Sequence, residues 1–297
     1  MTPTHQRVST TDGVSLAVDV YGHDDTDRPV ALLLHGGGQN RHAWNSTARR
    51  LHARGYSVAA YDARGHGDSD WDPTGGYDME QLATDLLTVR HHIAGDRPPA
   101  VVGASMGGMT ILTAHRLAPA ERWAAVVLVD VTPRMEFDGV RRIIGFMAAH
   151  PDGFATLEEA ADVIAAYNPH RPRPDTLDGL HKVLRCRDDG RWVWRWDPAF
   201  ITSKLDAVDA DPTRIDAIAD VLLDGTRRIT APTLLVRGAL SDLVSHETVA
   251  EFLDVVPHAE TIDVSGTGHM VAGDDNDAFT AAVAEFLART ATTGGPE

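Results

Sequence analysis

The sequence predicts an α/β protein with a mostly parallel, doubly wound sheet and a helical lid inserted between two strands of that sheet. Short continuous apolar runs alternate with segments of helical spacing up to about residue 130, and the same rhythm returns after residue 228. Apolar runs without polar alternation are typical of parallel strands buried on both faces. Their alternation with helices is typical of βαβ units.

The N-terminal part predicts a hairpin followed by four buried strands. Residues between Val8 and Tyr21 alternate around the turn TDG, which favours an antiparallel pair. Apolar residues at helical spacing predict a helix before the third buried strand, and a further helix covers Met106 to Leu117. The four strand runs are PVALLLHG, YSVAAYDARG, PAVVGAS and WAAVVLVDV.

The C-terminal part predicts a lid and then two more strands, each followed by a helix. Within the lid, TLEE at residues 156–159 matches a capping box, so we expect a helix to begin there. The last strands are APTLLVRG and ETIDVSG. The predicted division is a core of residues 1–133 and 229–290, a lid of residues 134–228 and a flexible tail of residues 291–297.

Composition restricts the partners of the chain. The 27 Lys and Arg against 43 Asp and Glu give a formal net charge of -16, which repels nucleic acids and anionic lipid surfaces. Cys186 is the single cysteine, so neither an internal disulfide nor a multi-cysteine metal site is expected. No stretch approaches the roughly 18 apolar residues of a membrane helix, and the N-terminus has no apolar leader segment. We expect a cytoplasmic protein, monomeric or homodimeric, without metal or cofactor.

One serine stands out at residue 105. Gly103-Ala104-Ser105-Met106-Gly107 fits the pattern G-x-S-x-G between a predicted strand and a predicted helix. A sharp turn at this point brings backbones close together, which requires glycine at the flanking positions and lifts the hydroxyl clear of the sheet. The turn also places Ser105 at a helix N-terminus, where developing negative charge is favoured. Ser105 is therefore the predicted nucleophile.

A serine nucleophile requires a base and an acid that orients the base. His269 in GTGHM follows the last predicted strand, which places it at the carboxyl edge of the sheet. Asp242 in RGALSDLV follows the strand before that one, and the order Ser, Asp, His is the expected one. Asp130 ends the run VVLVD at the same edge and is the competing acid. We favour Asp242.

The run HGGGQN, after the first buried strand, predicts an oxyanion hole. Acyl transfer places negative charge on a carbonyl oxygen, and backbone N–H groups stabilise that charge. The predicted donors are the N–H groups of Met106 and Gly37, with Gly38 as the alternate. His35 is expected to brace the loop by hydrogen bonding.

Several apolar side chains are candidates for the substrate pocket. Trp44 follows the glycine loop closely, and an apolar face of a lid helix is expected above Ser105. Core packing explains the lid residues about as well, so both interpretations stay open. The pocket candidates are Gly38, Trp44, Phe137, Ile144, Met147 and Trp194.

Together these motifs resemble the α/β-hydrolase superfamily, with a lidded serine hydrolase as the implied member. The resemblance covers HGGG, DARGHGDS, GASMGG, the SD of the acid loop and GTGHM. It implies nucleophile, acid and base at Ser105, Asp242 and His269. It also implies architectural roles for residues of the DARGHGDS stretch, namely Asp62, Arg64, Gly65, Gly67 and Ser69.

The expected activity is cleavage of a small or medium apolar carboxylic ester or lactone. Haloalkane dehalogenases and epoxide hydrolases of this fold carry aspartate where this chain has Ser105, which argues against both. A C–C bond hydrolase is an alternative, although its glycine loop usually continues with Gly-Pro rather than with Gln39-Asn40. The motifs are also compatible with a cofactor-free perhydrolase and with a ligand receptor that does not turn over its ligand.

Overall fold

A computed structural model describes residues 2–22, 27–168, 173, 176–202, 213–269 and 277–293. In these ranges eight strands form one sheet, and two shorter strands form a hairpin in the lid. The strands of the sheet are β1 (Thr4–Ser9), β2 (Ser15–Tyr21), β3 (Val30–Leu34), β4 (Ser57–Tyr61), β5 (Ala100–Ala104), β6 (Ala125–Val129), β9 (Thr233–Gly238) and β10 (Glu260–Val264); β7 (Leu184–Cys186) and β8 (Trp192–Trp194) belong to the lid.

The sheet order is β1-β2-β4-β3-β5-β6-β9-β10. The predicted hairpin is present, because β1 pairs antiparallel with β2, and β2 pairs antiparallel with β4. All other neighbours in this sheet are parallel. The predicted fold class and its six apolar strands are therefore confirmed.

Helices cover both faces of the sheet. The helices are α1 (Asn45–Ala53), α2 (Met79–Ala94), α3 (Met106–Leu117), α4 (Phe137–Ala148), α5 (Leu157–Tyr167), α6 (Thr213–Thr226), α7 (His246–Val255) and α8 (Asp277–Thr293), with 3-10 turns at Arg41–Trp44 and Asp178–Lys182. Side chains of β3 alternate between the two layers: Leu32 and Leu34 join the core under α2, α3, α6 and α7, whereas Ala31 and Leu33 join the core under α1 and α8. This double burial explains the continuous apolar runs.

The segment predicted as a lid, called the lid below, contains α4, α5 and the β7–β8 hairpin, so it is less helical than predicted. The hydroxyl of Thr156 accepts a hydrogen bond from the N–H of Glu159 at 3.1 Å, as the capping box requires. The Glu159 carboxylate reaches back one residue further than expected, to the N–H of Ala155 at 2.6 Å. The helix nevertheless begins where the motif predicted.

Two structural observations bear on the predicted division. Helix α6 falls inside the predicted lid range 134–228, yet it packs on α3 of the core, since a Cβ on Gly225 would lie 1.8 Å from the carbonyl oxygen of Leu112. Helix α8 extends to Thr293, into the predicted tail of residues 291–297. Residues 294–297 lie outside the described residues.

The DARGHGDS stretch after β4 is fixed by hydrogen bonds of its buried side chains. Arg64 is 1% exposed and donates two hydrogen bonds of 2.7 Å to Asp85, with further contacts to Asp12 and Asp72. The Ser69 hydroxyl donates to the carbonyl oxygen of Asp62 at 2.6 Å and accepts from the N–H of Ala17. A buried guanidinium is stable only when its donors are paired with acceptors.

Glycine is required where β5 turns into α3. A Cβ on Gly103 would lie 2.5 Å from the carbonyl carbon of Gly107, and a Cβ on Gly107 would lie 2.5 Å from the carbonyl oxygen of Leu34. The helix thus packs directly on the backbones of β5 and β3.

Among the described residues, the helices are too short or too polar for any of them to span a membrane.

We predict that Gly107→Ala lowers the free energy of unfolding by about 1–3 kcal/mol, because the added methyl group meets backbone that cannot move away. Gly145→Ala is the matched control, since this glycine is an exposed residue of α4 with nothing within 4 Å of its Cβ position. Alanine there should stabilise the protein by about 0.5–1 kcal/mol. Urea denaturation of both variants checks the prediction; equal effects would contradict it.

Candidate active site

Ser105 lies at the turn between β5 and α3 in a strained backbone conformation. Its φ of 46° and ψ of -111° are unusual for a residue with a side chain. Its N–H donates to the carbonyl oxygen of Val129 at 2.9 Å, and its own carbonyl accepts from the N–H of Met109 at 2.9 Å. These bonds tie the backbone to β6 and to α3. The half-buried side chain is left at the carboxyl edge of the sheet.

His269 lies in the loop after β10 and is hydrogen-bonded to the serine. Its Nε2 is 3.1 Å from Ser105 Oγ, and its Nδ1 is 2.7 Å from Asp130 Oδ2. A carboxylate is an acceptor only, so Nδ1 carries the proton and Nε2 accepts from the serine hydroxyl. The imidazole side chain is 9% exposed. The structure thus brings the predicted nucleophile and base together.

Asp130, immediately after β6, is the carboxylate that contacts this histidine. Its side chain is 1% exposed and also accepts hydrogen bonds from the Ser241 hydroxyl at 2.7 Å and from the N–H of Gly238 at 3.0 Å. Its φ is 50°, and within the described ranges Asp130 and Ser105 are the two residues other than glycine with positive φ. Backbone strain of this kind is found preferentially at functional sites.

The expectation that Asp242 contacts the histidine is wrong. Asp242 lies in the loop after β9, but its carboxylate binds Arg142 of the lid helix α4 at 2.6 Å and is 39% exposed. Sheet order explains the difference. Strand β6 lies between β5 and β9, so a residue at its end lies between Ser105 and the loop of Asp242. The competing acid, Asp130, therefore occupies the position beside His269.

The glycine loop after β3 lies beside the serine. A Cβ on Gly36 would lie 3.6 Å from Ser105 Cβ. The Gly36 N–H is bound by the side chain of Gln39 at 3.0 Å, and the Gly38 N–H donates to His66 Nε2 at 3.2 Å. Gly38 is therefore not a free donor, which removes it as the alternate. For the N–H groups of Gly37 and Met106, no acceptor is found among the described residues.

His35 braces the glycine loop as predicted. Its Nδ1 is 2.8 Å from the carbonyl oxygen of Gly36, and its Nε2 accepts from the N–H of Ala63 at 2.9 Å. Because Nε2 accepts a hydrogen bond, the proton is on Nδ1. Burial lowers the pKa of His35, which keeps the ring neutral and this pair of bonds intact.

Lid side chains pack on Gly37 and Gly38, the last two glycines of the loop after β3. A Cβ on Gly37 would lie 3.8 Å from the Phe200 ring and 3.9 Å from the sulfur of Met147. A Cβ on Gly38 would lie 3.1 Å from both Met147 and Trp196. Met147 is thus the pocket candidate that the structure places at the loop. The sequence analysis missed Phe200 because it follows Pro198 in a segment without a recognisable pattern. The tryptophan-rich run RWVWRW, which ends at Trp196, is the signal that could have identified Trp196 as a pocket residue.

The other pocket candidates lie elsewhere. Trp44 is fully buried on the opposite layer, under α1 and α8, with its ring 5.9 Å from that of Phe279. Trp194 stacks on Trp196 at 4.4 Å inside the lid. Ile144 is partly buried and packs against the hydrophobic cluster that contains Trp194 and Trp196. Phe137 is 38% exposed at the start of α4. Trp44 is therefore not part of the pocket, and nothing among the described contacts places Phe137 at the glycine loop.

The groups that the structure brings together at the site are a hydroxyl, an imidazole and a carboxylate. The described residues contain no group of three or more His, Cys, Asp or Glu side chains placed to hold a metal ion. What they contain is a hydroxyl hydrogen-bonded to an imidazole, and a buried carboxylate behind that imidazole. This arrangement can remove the hydroxyl proton and stabilise the resulting imidazolium.

Comparison with known proteins shows what the chain as a whole is similar to. A model of the alpha/beta hydrolase family matches residues 31–282. Esterase Rv0045c of Mycobacterium tuberculosis is 31% identical over 256 residues, which cover 83% of this chain and 78% of that protein. The 3-hydroxybutyrate-oligomer hydrolase of Cupriavidus necator is 27% identical over 253 residues, or 83% of this chain and 84% of that protein.

A solved structure of the M. tuberculosis esterase superimposes with a TM-score of 0.72 and 28% identity, covering 97% of this chain and 93% of that one. The two structures therefore share their overall fold over nearly their whole length. The family model spans most of the chain and reaches from β3 into α8. The chain is an enzyme that belongs to the alpha/beta hydrolase family.

Proposed function

We propose that this enzyme is a serine hydrolase that cleaves a small or medium apolar carboxylic ester or lactone through an acyl-enzyme on Ser105. The observation that carries the proposal is the continuous hydrogen-bonded path from Ser105 Oγ through His269 to Asp130. Proteins similar to this chain include one named an esterase and one named a hydrolase of 3-hydroxybutyrate oligomers. Oligomers of a hydroxy acid are joined by ester bonds, which supports the same bond type here.

Acylation begins when Ser105 Oγ attacks the carbonyl carbon of the ester. His269 Nε2 takes the hydroxyl proton while the new C–O bond forms, and Asp130 stabilises the imidazolium. The carbonyl oxygen becomes an oxyanion, and we assign its stabilisation to the N–H groups of Gly37 and Met106. Collapse of the intermediate breaks the bond to the alcohol, which takes the proton from His269.

Deacylation repeats these steps with water. His269 removes a proton from water, the hydroxide attacks the acyl carbon, and the Ser105 oxygen recovers the proton as it leaves. The position of Ser105 at the N-terminus of α3 favours the negative charge in both halves of the reaction. In a lactone the alcohol stays attached to the acyl chain, so one product is released instead of two.

The preference for apolar acyl groups is inferred from the lid. Met147, Trp196 and Phe200 place a thioether and two aromatic rings against the glycine loop, and all three are at most 7% exposed. An acyl group bound at Gly37 would contact these apolar surfaces. Burial of apolar substrate area against them contributes about 25 cal/mol per Å².

The first test of the proposal is turnover of nitrophenyl esters of graded acyl length, of lactones and of one vinylogous diketone. We expect multiple turnovers on esters or lactones, with the rate falling at long acyl chains. Turnover confined to the diketone would instead identify a C–C bond hydrolase. One burst without further turnover would identify a ligand receptor.

We predict that Ser105→Ala lowers kcat by about 10⁶-fold on the best ester, because the residual rate comes from binding and the oxyanion donors alone. A fluorophosphonate probe should label the native protein at residue 105 and leave the variant unlabelled. If the variant keeps activity within about tenfold of the native enzyme, Ser105 is not the nucleophile.

We predict that Asp130→Asn lowers kcat by about 10⁴-fold, because asparagine stabilises the wrong imidazole tautomer. Asp242→Asn is the matched control, an aspartate of the same edge that pairs with Arg142 at the surface. Breaking this exposed pair should change stability by less than about 1 kcal/mol and leave kcat within about threefold. Steady-state kinetics of the two variants checks the prediction. A large loss of kcat confined to Asp242→Asn would identify Asp242 as the acid instead.

A further inference from the structure

We infer that Ser241 is a positioning residue for catalysis, because its hydroxyl holds the carboxylate of Asp130 in the orientation that His269 requires. The inference rests on the proposed function, in which Asp130 orients the base. Ser241 Oγ lies 2.7 Å from Asp130 Oδ2, the same oxygen that accepts from His269 Nδ1 at 2.7 Å. The hydroxyl of Ser241 and the imidazole of His269 therefore both donate to Oδ2 of Asp130.

The direction of the Ser241 hydroxyl hydrogen follows from its other contacts. The oxygen accepts hydrogen bonds from the N–H groups of Leu243 and Val244, each at 3.1 Å. A serine hydroxyl has one hydrogen to donate and two lone pairs that accept. Both lone pairs are occupied by these N–H groups, so the hydrogen is directed at the carboxylate. The serine is a fixed donor to the acid.

The second carboxylate oxygen of Asp130 is held as well. Its Oδ1 accepts from the N–H of Gly238 at 3.0 Å, so three donors surround a side chain that is 1% exposed. A buried carboxylate requires such donors, because it has lost its hydration. Without Ser241 the group keeps the Gly238 bond and can rotate about it, which misdirects the oxygen that faces His269.

The loop that carries Ser241 is anchored on its far side by the lid. The carbonyl oxygen of Leu243 accepts a hydrogen bond from the N–H of Glu136 at 2.9 Å. Helix α4 approaches so closely that a Cβ on Gly139 would lie 2.3 Å from the carbonyl oxygen of Asp242. The backbone around Ser241 is therefore held from both sides, which limits the positions open to its hydroxyl.

The inference is tested with Ser241→Ala and Ser241→Thr, each made in the native enzyme and in the Asp130→Asn variant. Ser241→Ala should lower kcat by about tenfold or more, as expected for the loss of a hydrogen bond to a charged group, with little change in KM. Threonine keeps the hydroxyl and should restore kcat to within about threefold. In the Asp130→Asn background, Ser241→Ala should cost less than about twofold, because the two residues act as a unit.

Ser245→Ala is the control for a merely structural effect. Ser245 belongs to the same loop, but its hydroxyl caps α7 by accepting from the N–H of Thr248 at 3.2 Å. Its loss should lower the melting temperature and leave kcat unchanged. If Ser245→Ala reproduces the kcat loss, or if Ser241→Ala costs the same factor in both backgrounds, the positioning role is wrong.

The proposed function and this inference fail in different ways. Native kcat in Asp130→Asn would overturn the role of the acid itself. A large loss of kcat in Asp130→Asn together with native kcat in Ser241→Ala would overturn only the positioning role.

Should Ser241→Ala not fold, Ser241→Cys replaces it, since a thiol is a weak donor of similar shape. Cysteine should then give a kcat below that of the threonine variant, and equal values would contradict the inference.

Discussion

A carboxylate without access to water is stable only where donors converge on it, and at Asp130 those donors come from separate parts of the chain. Gly238 ends β9, Ser241 belongs to the following loop, and His269 follows β10. Parallel strands place these loops at one edge of the sheet, so the position of one buried charge depends on the order of three strands. The orientation of His269, and through it the contact with Ser105, depends on that charge.

The same constraint explains which parts of the site could be predicted from the sequence. Ser105 and His269 each follow a recognisable strand and carry local glycine patterns, so their places at the carboxyl edge were predictable. The acid was not, because Asp130 and Asp242 both follow strands that end at this edge. Strand order separates them, and strand order is a property of long-range pairing that neither local pattern contains. In the loop after β9, Ser241 faces the site and Asp242 faces the lid.

Lid residues were the least predictable part for a related reason. Met147 and Trp194 carry the same apolar character, yet Met147 packs on the glycine loop and Trp194 stacks inside the lid. Hydrophobic spacing indicates that a side chain is buried but not what buries it. Trp44 illustrates this limit: it is close in sequence to the glycine loop, but the 3-10 turn of Arg41–Trp44 directs it into the opposite core layer.

Backbone strain connects the fold to the site. Ser105 and Asp130 both adopt positive φ, a conformation that costs on the order of 1–3 kcal/mol at each residue. Neither residue relaxes, because its backbone N–H is bonded to the neighbouring strand: Ser105 to Val129 and Asp130 to Val236. The glycines at 103 and 107 let α3 pack directly on strand backbones and hold the turn at Ser105 closed. Rigid strand pairing thus maintains two unfavourable local conformations, and those conformations aim the hydroxyl and the carboxylate at opposite nitrogens of one imidazole.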